Sequence, residues 1–174
     1  MRTSWKSYWS SLCCVSVLTC LAGCSGGAGS KADTAKANKG LLSQISKLYD
    51  AYLSGTPGQA QISLLEEARV IEGAGWLPPP DKANLLFVTY SRLYVFHRKM
   101  KNDTAAEAAW IKFRFWTLRR FELSGLDTQS AMKEAVAFTP ERISETVDSW
   151  DRRENKGIPP NYVNYIGSAK GAAE

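Results

Sequence analysis

The sequence predicts an all-α fold of antiparallel helical hairpins, about six helices forming a bundle or a short α-solenoid. Three observations lead there. From Leu41 onward, apolar residues recur three to four apart, the spacing of one helix face. The strict alternation of a half-buried strand is absent. The breaks between periodic segments are short and built from Gly, Pro, Asn and Asp, which suits antiparallel neighbours.

The first periodic segment places Leu41, Leu42, Ile45, Leu48, Tyr49, Tyr52 and Leu53 on one face, and Gly55 stops it. Thr56-Pro57-Gly58-Gln59 restarts a helix: Thr as N-cap, Pro in the first turn, Gln closing a capping box. Ile62, Leu65, Ala68 and Ile71 form its expected inner face, ended by Gly73 and Gly75. Pro78-Pro79-Pro80 reads as a stiff extended link, because proline fixes φ and lacks a backbone donor. Asp81 is positioned to cap a third helix, with Leu85, Leu86, Thr89, Leu93, Phe96 and Met100 inward.

Asn102-Asp103-Thr104 breaks that helix, and Thr104 with Glu107 has capping-box spacing for a fourth, stopped at Gly125. Asp127 caps a short fifth helix through Ala131, Met132, Ala135 and Val136. Thr139-Pro140 opens a sixth with Ile143, Val147 and Trp150, which Gly157, Pro159 and Pro160 end. Tyr162, Val163, Tyr165 and Ile166 are expected to pack back onto the bundle.

The fourth helix is apolar nearly all round. At about 100° per residue, Ala105, Ala106, Ala109, Trp110, Phe113, Trp116 and Phe121 share a wide arc, and Ile111, Phe115 and Leu118 fall opposite. That pattern predicts the central buried helix of the domain. The same helix carries the candidate binding residues Trp110, Arg114, Trp116, Arg119 and Arg120. Aromatics beside arginines are common interface anchors, so these five are expected to form a groove for a partner protein or an anionic ligand.

At the start of the chain, Arg2 and Lys6 precede an apolar run from Trp9 to Leu21, interrupted by Ser10, Ser11, Ser16 and Thr19. The run is shorter than the roughly 20 apolar residues a membrane span needs. A basic start, an apolar middle and a small-residue exit make an export signal. Leu21-Ala22-Gly23-Cys24 closes it and resembles the lipobox of bacterial lipoprotein signal peptides. The resemblance covers residues 1–24. It implies that residues 1–23 are a signal peptide and that Cys24 carries more than one acyl chain, enough for stable membrane anchoring in a bacterial cell envelope. Ser25 stands where some lipoproteins carry Asp, which for a Gram-negative source favours the outer membrane.

All four cysteines, Cys13, Cys14, Cys20 and Cys24, lie in this segment. A mature chain would keep one, occupied by lipid, which excludes a Cys nucleophile, a Cys metal site and a disulfide framework. Residues 24–40 are rich in Gly, Ser, Ala and Lys with no large apolar side chain, and are expected to form a flexible tether. Residues 41–174 are expected to form a single helical domain. Removing 23 of the 174 residues leaves 151, ample for one core. The net charge falls from +5 to +3 with Arg2 and Lys6 gone, too mild and too scattered for a nucleic-acid partner.

Leu93 to Trp116, with large residues on one helix and Ala105, Ala106, Ala108 and Ala109 on the next, resembles a tetratricopeptide-like helical hairpin. It lacks that repeat's Gly in the first helix and its closing Pro. Leu48-Tyr49 before Thr56 and Leu93-Tyr94 before Thr104 form a faint internal echo, as in a short solenoid.

No chemistry-bearing motif accompanies this architecture. His97, the single histidine, is expected at the surface or at a helix cap, and one histidine falls short of a metal site. Met100 follows it at i+3, but no C-x-x-C-H haem attachment is present. Glu66, Glu67 and Glu72, and Glu141, Glu145, Asp148 and Asp151, follow helical spacing near Arg69, Arg142 and Arg152, as ion pairs on solvated faces do. No G-x-S-x-G, H-E-x-x-H, Walker or Rossmann pattern occurs. The expectation is a non-enzymatic, lipid-anchored adaptor with no catalytic residue, metal or cofactor. It would touch the membrane through Cys24 and dock a partner protein. A lipoprotein binding an anionic small molecule or glycan is the alternative, and an envelope hydrolase ranks third.

Overall fold

Six helices and no strand make up the described part of the chain, residues 31–154 of a computed structural model, with side chains described over 36–152. They are α1 (Lys31–Ser54), α2 (Pro57–Gly73), α3 (Pro79–Lys99), α4 (Asp103–Leu123), α5 (Thr128–Val136) and α6 (Pro140–Glu154). The fold is an all-α bundle. Cys24, the signal-like segment and the tail bearing Tyr162, Val163, Tyr165 and Ile166 lie outside the described residues. None of the described helices is long and apolar enough to cross a membrane.

Local chemistry sets most boundaries. The Thr56 hydroxyl accepts from Gln59 N, and the Gln59 side chain accepts from Thr56 N at 2.9 Å, completing the capping box of α2. Gly55 makes the tight α1–α2 corner, where a Cβ would strike the Ala51 carbonyl. Gly125, at φ +93°, turns the chain out of α4 in a conformation that favours glycine. The Asp127 carboxylate accepts from Gln129 N and Ser130 N, both at 3.0 Å, and starts α5.

Three boundaries differ from expectation. Pro79 and Pro80 are not an extended link but the first turn of α3, where missing donors leave no intrahelical bond unmade. Asp81 lies inside that turn, buried, instead of capping it. The cap of α4 is Asn102, whose side chain accepts from Ala105 N at 3.2 Å, so the box expected from Thr104 and Glu107 is not used. In addition, α1 begins at Lys31, inside the segment expected as a tether. Alanine and lysine there are strong helix formers and need no core to favour that state.

Sequential neighbours pack from α1 through α5, and α6 then returns onto α3. That return, with the Tyr52–Asp151 hydrogen bond that joins the last helix to the first, closes the bundle. The central helix is α3, not α4 as expected. Helices α2, α4 and α6 all pack on α3, burying Leu85, Leu86, Leu93 and Val95 with Thr89, Ser91 and Arg92. Its polar residues masked that position in the sequence. Helix α4 buries only Ala106, Ala109, Phe113 and Thr117.

Several inner faces turn out rotated. On α2, Ile62 and Leu65 face solvent, while Ser63, Leu64 and Glu67 point inward with Ala68 and Ile71. Met100, Met132 and Val136, expected inside, are exposed. His97, expected at the surface or at a helix cap, is buried in the last turn of α3, edge-on to Phe96. Glu67, expected on a solvated face, is buried, and Asp151, expected likewise, is half-buried against Arg92.

Candidate functional site

Arg92 forms the hub of a polar cluster that joins four helices. Its side chain is 1% exposed. The Nε atom lies 3.4 Å from Asp151 Oδ1 of α6, and the guanidinium sits 4.1 Å from the centroid of the Tyr49 ring of α1. Asp151 accepts from Tyr52 Oη at 2.7 Å and from Tyr49 Oη at 3.4 Å. On α2, Glu67 is fully buried and accepts from Thr89 Oγ1 at 2.6 Å. The positive charge of Arg92 also acts on Glu67, opposing the burial that pushes its carboxyl above the usual range. Burial and the neighbouring Asp151 carboxylate raise the Tyr52 phenol in turn.

A buried ion is tolerated when it is paired and hydrogen-bonded. Both carboxylates of this cluster act on one guanidinium, although the buried Glu67 Oε2 accepts no hydrogen bond from the described residues. The cluster offers no pair of carboxyl groups aimed into a cleft, as sugar hydrolysis requires. Sequence reasoning missed Arg92. The available signal was a charged residue on the inner stripe of α3, between Thr89 and Leu93.

The five residues singled out on α4 spread around the helix. Trp110 is half-buried between Tyr94 and Phe113, with centroids 4.8 and 5.1 Å away. Arg114 lies 6.0 Å from the Trp110 ring. Trp116 is half-buried and meets Phe115 edge-on at 5.0 Å. Arg120 covers Phe87 at 4.8 Å and so belongs to the α3–α4 seam. Arg119 is exposed and pairs with Glu122 at 3.2 Å. Trp110 and Arg114 therefore come together, Arg119 faces outward, and Arg120 folds over the core.

The outward face of α4 carries a second apolar stripe, the exposed Ala108, Ile111 and Phe115, continued by the half-buried Leu118. Ile111 is 61% and Phe115 56% exposed, an unusual state for two large apolar residues one turn apart. Lys112 and Arg119 run beside the stripe. Lys112 reaches Glu72 of α2 at 3.6 Å.

A small cleft of about 200 Å³ lies between α3, α4 and the start of α6, lined by Tyr94, Arg98, Asp103, Ala106, Glu107, Trp110 and Pro140. Arg98 and Asp103 pair across it at 2.9 Å, which neutralises its one cation. Among the described residues no group of three or more His, Cys, Asp or Glu is placed to hold a metal ion. Comparison with protein-family models, with curated proteins and with solved structures finds no match.

Proposed function

We propose that this protein is a non-enzymatic adaptor, anchored through acylated Cys24 to a bacterial envelope membrane, whose helical bundle docks a partner protein. The exposed Ile111–Phe115 pair on α4, bordered by Lys112 and Arg119, carries the docking half of this reading. Neighbouring large apolar and aromatic side chains exposed on one helix face are a common mark of an interaction surface. The lipobox-like order of Leu21-Ala22-Gly23-Cys24 carries the anchoring half.

Two features weigh against the alternatives. The Trp110 cleft is smaller than the roughly 300–1,000 Å³ of small-molecule sites, and its arginine is already paired, so the cleft beside the singled-out aromatics is a poor seat for an anionic ligand or glycan. Glu67 is buried and accepts from Thr89, and Asp151 pairs with Arg92 and accepts from Tyr52, which disfavours their use in a hydrolase.

The test joins both halves. A photo-crosslinking residue at position 111 or 115 in cells should capture one discrete partner, and a fatty-acid probe should label the wild type but not Cys24→Ser. An unlabelled wild type defeats the anchoring half. Crosslinks no more frequent at 111 and 115 than at the exposed Gln129 defeat the docking half.

A further inference from the structure

We infer that the end of the bundle from which α1 rises, bearing Trp76 and Leu126, rests on the bilayer that holds the lipid of Cys24. This rests on the anchoring half of the reading above and adds which face of the domain meets the membrane.

Helices α1 and α2 turn back on each other at Gly55, so the exit of α2 returns toward the start of α1. At that exit, on the link to α3, Trp76 is 45% exposed. The first turn of α3 lies at the same level, where Lys82 Nζ donates to Glu72 O at 2.6 Å. The last turn of α4 is there too: Arg120 covers Phe87 in the first half of α3, and the exposed Leu126 follows on the turn into α5. One end of the bundle thus gathers an exposed tryptophan, an exposed leucine and the root of α1. The opposite end carries the α1–α2 corner and the α3–α4 turn, with the exposed Met100.

The anchor discriminates between the two ends. Fully extended, the chain from Cys24 to Lys31 spans at most about 25 Å. Helix α1 has 24 residues and α2 has 17, so α1 overhangs the exit of α2 by about 10 Å. A tilt of the bundle therefore sets Lys31 and Trp76 on one plane within the reach of the tether. Met100 lies the length of α3, about 30 Å, farther off.

Tryptophan suits a bilayer interface, where its ring is buried among headgroups and its N–H stays wet. One such side chain would hold a free domain weakly. Tethered through Cys24, its insertion becomes an intramolecular event at high effective concentration, so a small gain suffices. Lys36 and Lys39 stand exposed on the overhang and suit anionic headgroups. Two carboxylates near Leu126 are already engaged: Asp127 caps α5 and Glu122 pairs with Arg119. In this orientation the Ile111–Phe115 face lies on the side of the bundle, clear of the bilayer and open to a partner.

The test reconstitutes the acylated chain into vesicles of phosphatidylcholine and phosphatidylglycerol, with part of the phosphatidylcholine brominated, and reads tryptophan fluorescence. Trp110, Trp116 and Trp150 are half-buried, so Trp76 is the exposed tryptophan among the described residues. Brominated lipid should quench the wild type. Trp76→Phe should lose most of that quenching while floating with the vesicles as the wild type does. Adding Met100→Trp to Trp76→Phe should not restore it. Quenching that survives Trp76→Phe, or that returns with Met100→Trp, overturns the inference. So does a photo-crosslinking residue at position 76 that captures protein and no lipid in cells. An acylated, floating wild type without quenching refutes this orientation and leaves the anchor standing. A wild type that carries no acyl group refutes both.

Discussion

Tyr52 donates a hydrogen bond to Asp151 Oδ2 at 2.7 Å and so ties α1 to α6 across 99 residues of sequence. The acceptor oxygen belongs to the carboxylate whose other oxygen lies 3.4 Å from Arg92, so one aspartate joins three helices. Hydrogen bonds to a charged group contribute about 1.5–3 kcal/mol, and the 17% exposure of Asp151 moves this one toward the lower end. Tyr52→Phe should therefore lower unfolding free energy by about 1–2 kcal/mol in urea titration. The same change in an Asp151→Asn background should cost clearly less. Equal costs in both backgrounds would show that the hydroxyl acts elsewhere.

Removing the guanidinium should be harsher. Arg92→Ala leaves Glu67 and Asp151 without their shared counter-charge and opens a void, and breaking a buried ion pair from one side costs about 3–5 kcal/mol. The triple replacement Glu67→Gln, Arg92→Met and Asp151→Asn removes the charges together and should recover part of that loss. Denaturant midpoints of the single and triple variants decide it; a triple variant less stable than Arg92→Ala contradicts the account.

Glu67 should make stability fall as pH rises. Burial holds its carboxyl above the usual range, so between the ordinary value, about 4.3, and the raised one the folded chain holds a proton that the unfolded chain has lost. Stability from this group is complete below the ordinary value and declines as pH climbs through that window. Glu67→Gln should flatten the decline in unfolding curves recorded from pH 4 upward, and an unchanged slope would assign it to another group.

His97 should act in the opposite sense. Burial lowers its pKa, so between the lowered value and about 6.5 the unfolded chain binds the extra proton. Stability from this group is complete above about 6.5 and is lost as pH falls through that range. In His97→Gln the loss on acidification below about pH 6.5 should be smaller than in the wild type, as measured by thermal melting points across that range.

Phe113 and Phe115 make a direct contrast, two phenylalanines on one helix with opposite surroundings. Phe113 is fully buried, tilted against Phe87 at 5.3 Å and stacked on Trp110, whereas Phe115 is 56% exposed. Phe113→Ala should cost about 3–5 kcal/mol as a core deletion. Phe115→Ala should stay within about 0.5 kcal/mol, as exposed substitutions do. Comparable losses would mean that the outward face of α4 is part of the core.

The sequence by itself determined the helical class, the six helices of the described residues and several of their ends, because caps and stops are local. Thr56 with Gln59, Asp127 with Ser130, and Gly125 act within one turn of chain and need no distant partner. Only the tertiary structure decided which faces are inside. Apolar spacing assigned Ile62, Leu65 and Met100 to the core, placed Glu67 and Asp151 on solvated faces and passed over Arg92; packing exposed the first three, buried Glu67 and Arg92 and half-buried Asp151. A charge is excluded from an interior only while it lacks partners. The partners here come from α1, α2, α3 and α6, brought together by folding across gaps that no local pattern encodes. The same holds for α4. Its two apolar stripes look alike in sequence, and the packing of α3 and α5 on it chose which would be buried and which would stay exposed.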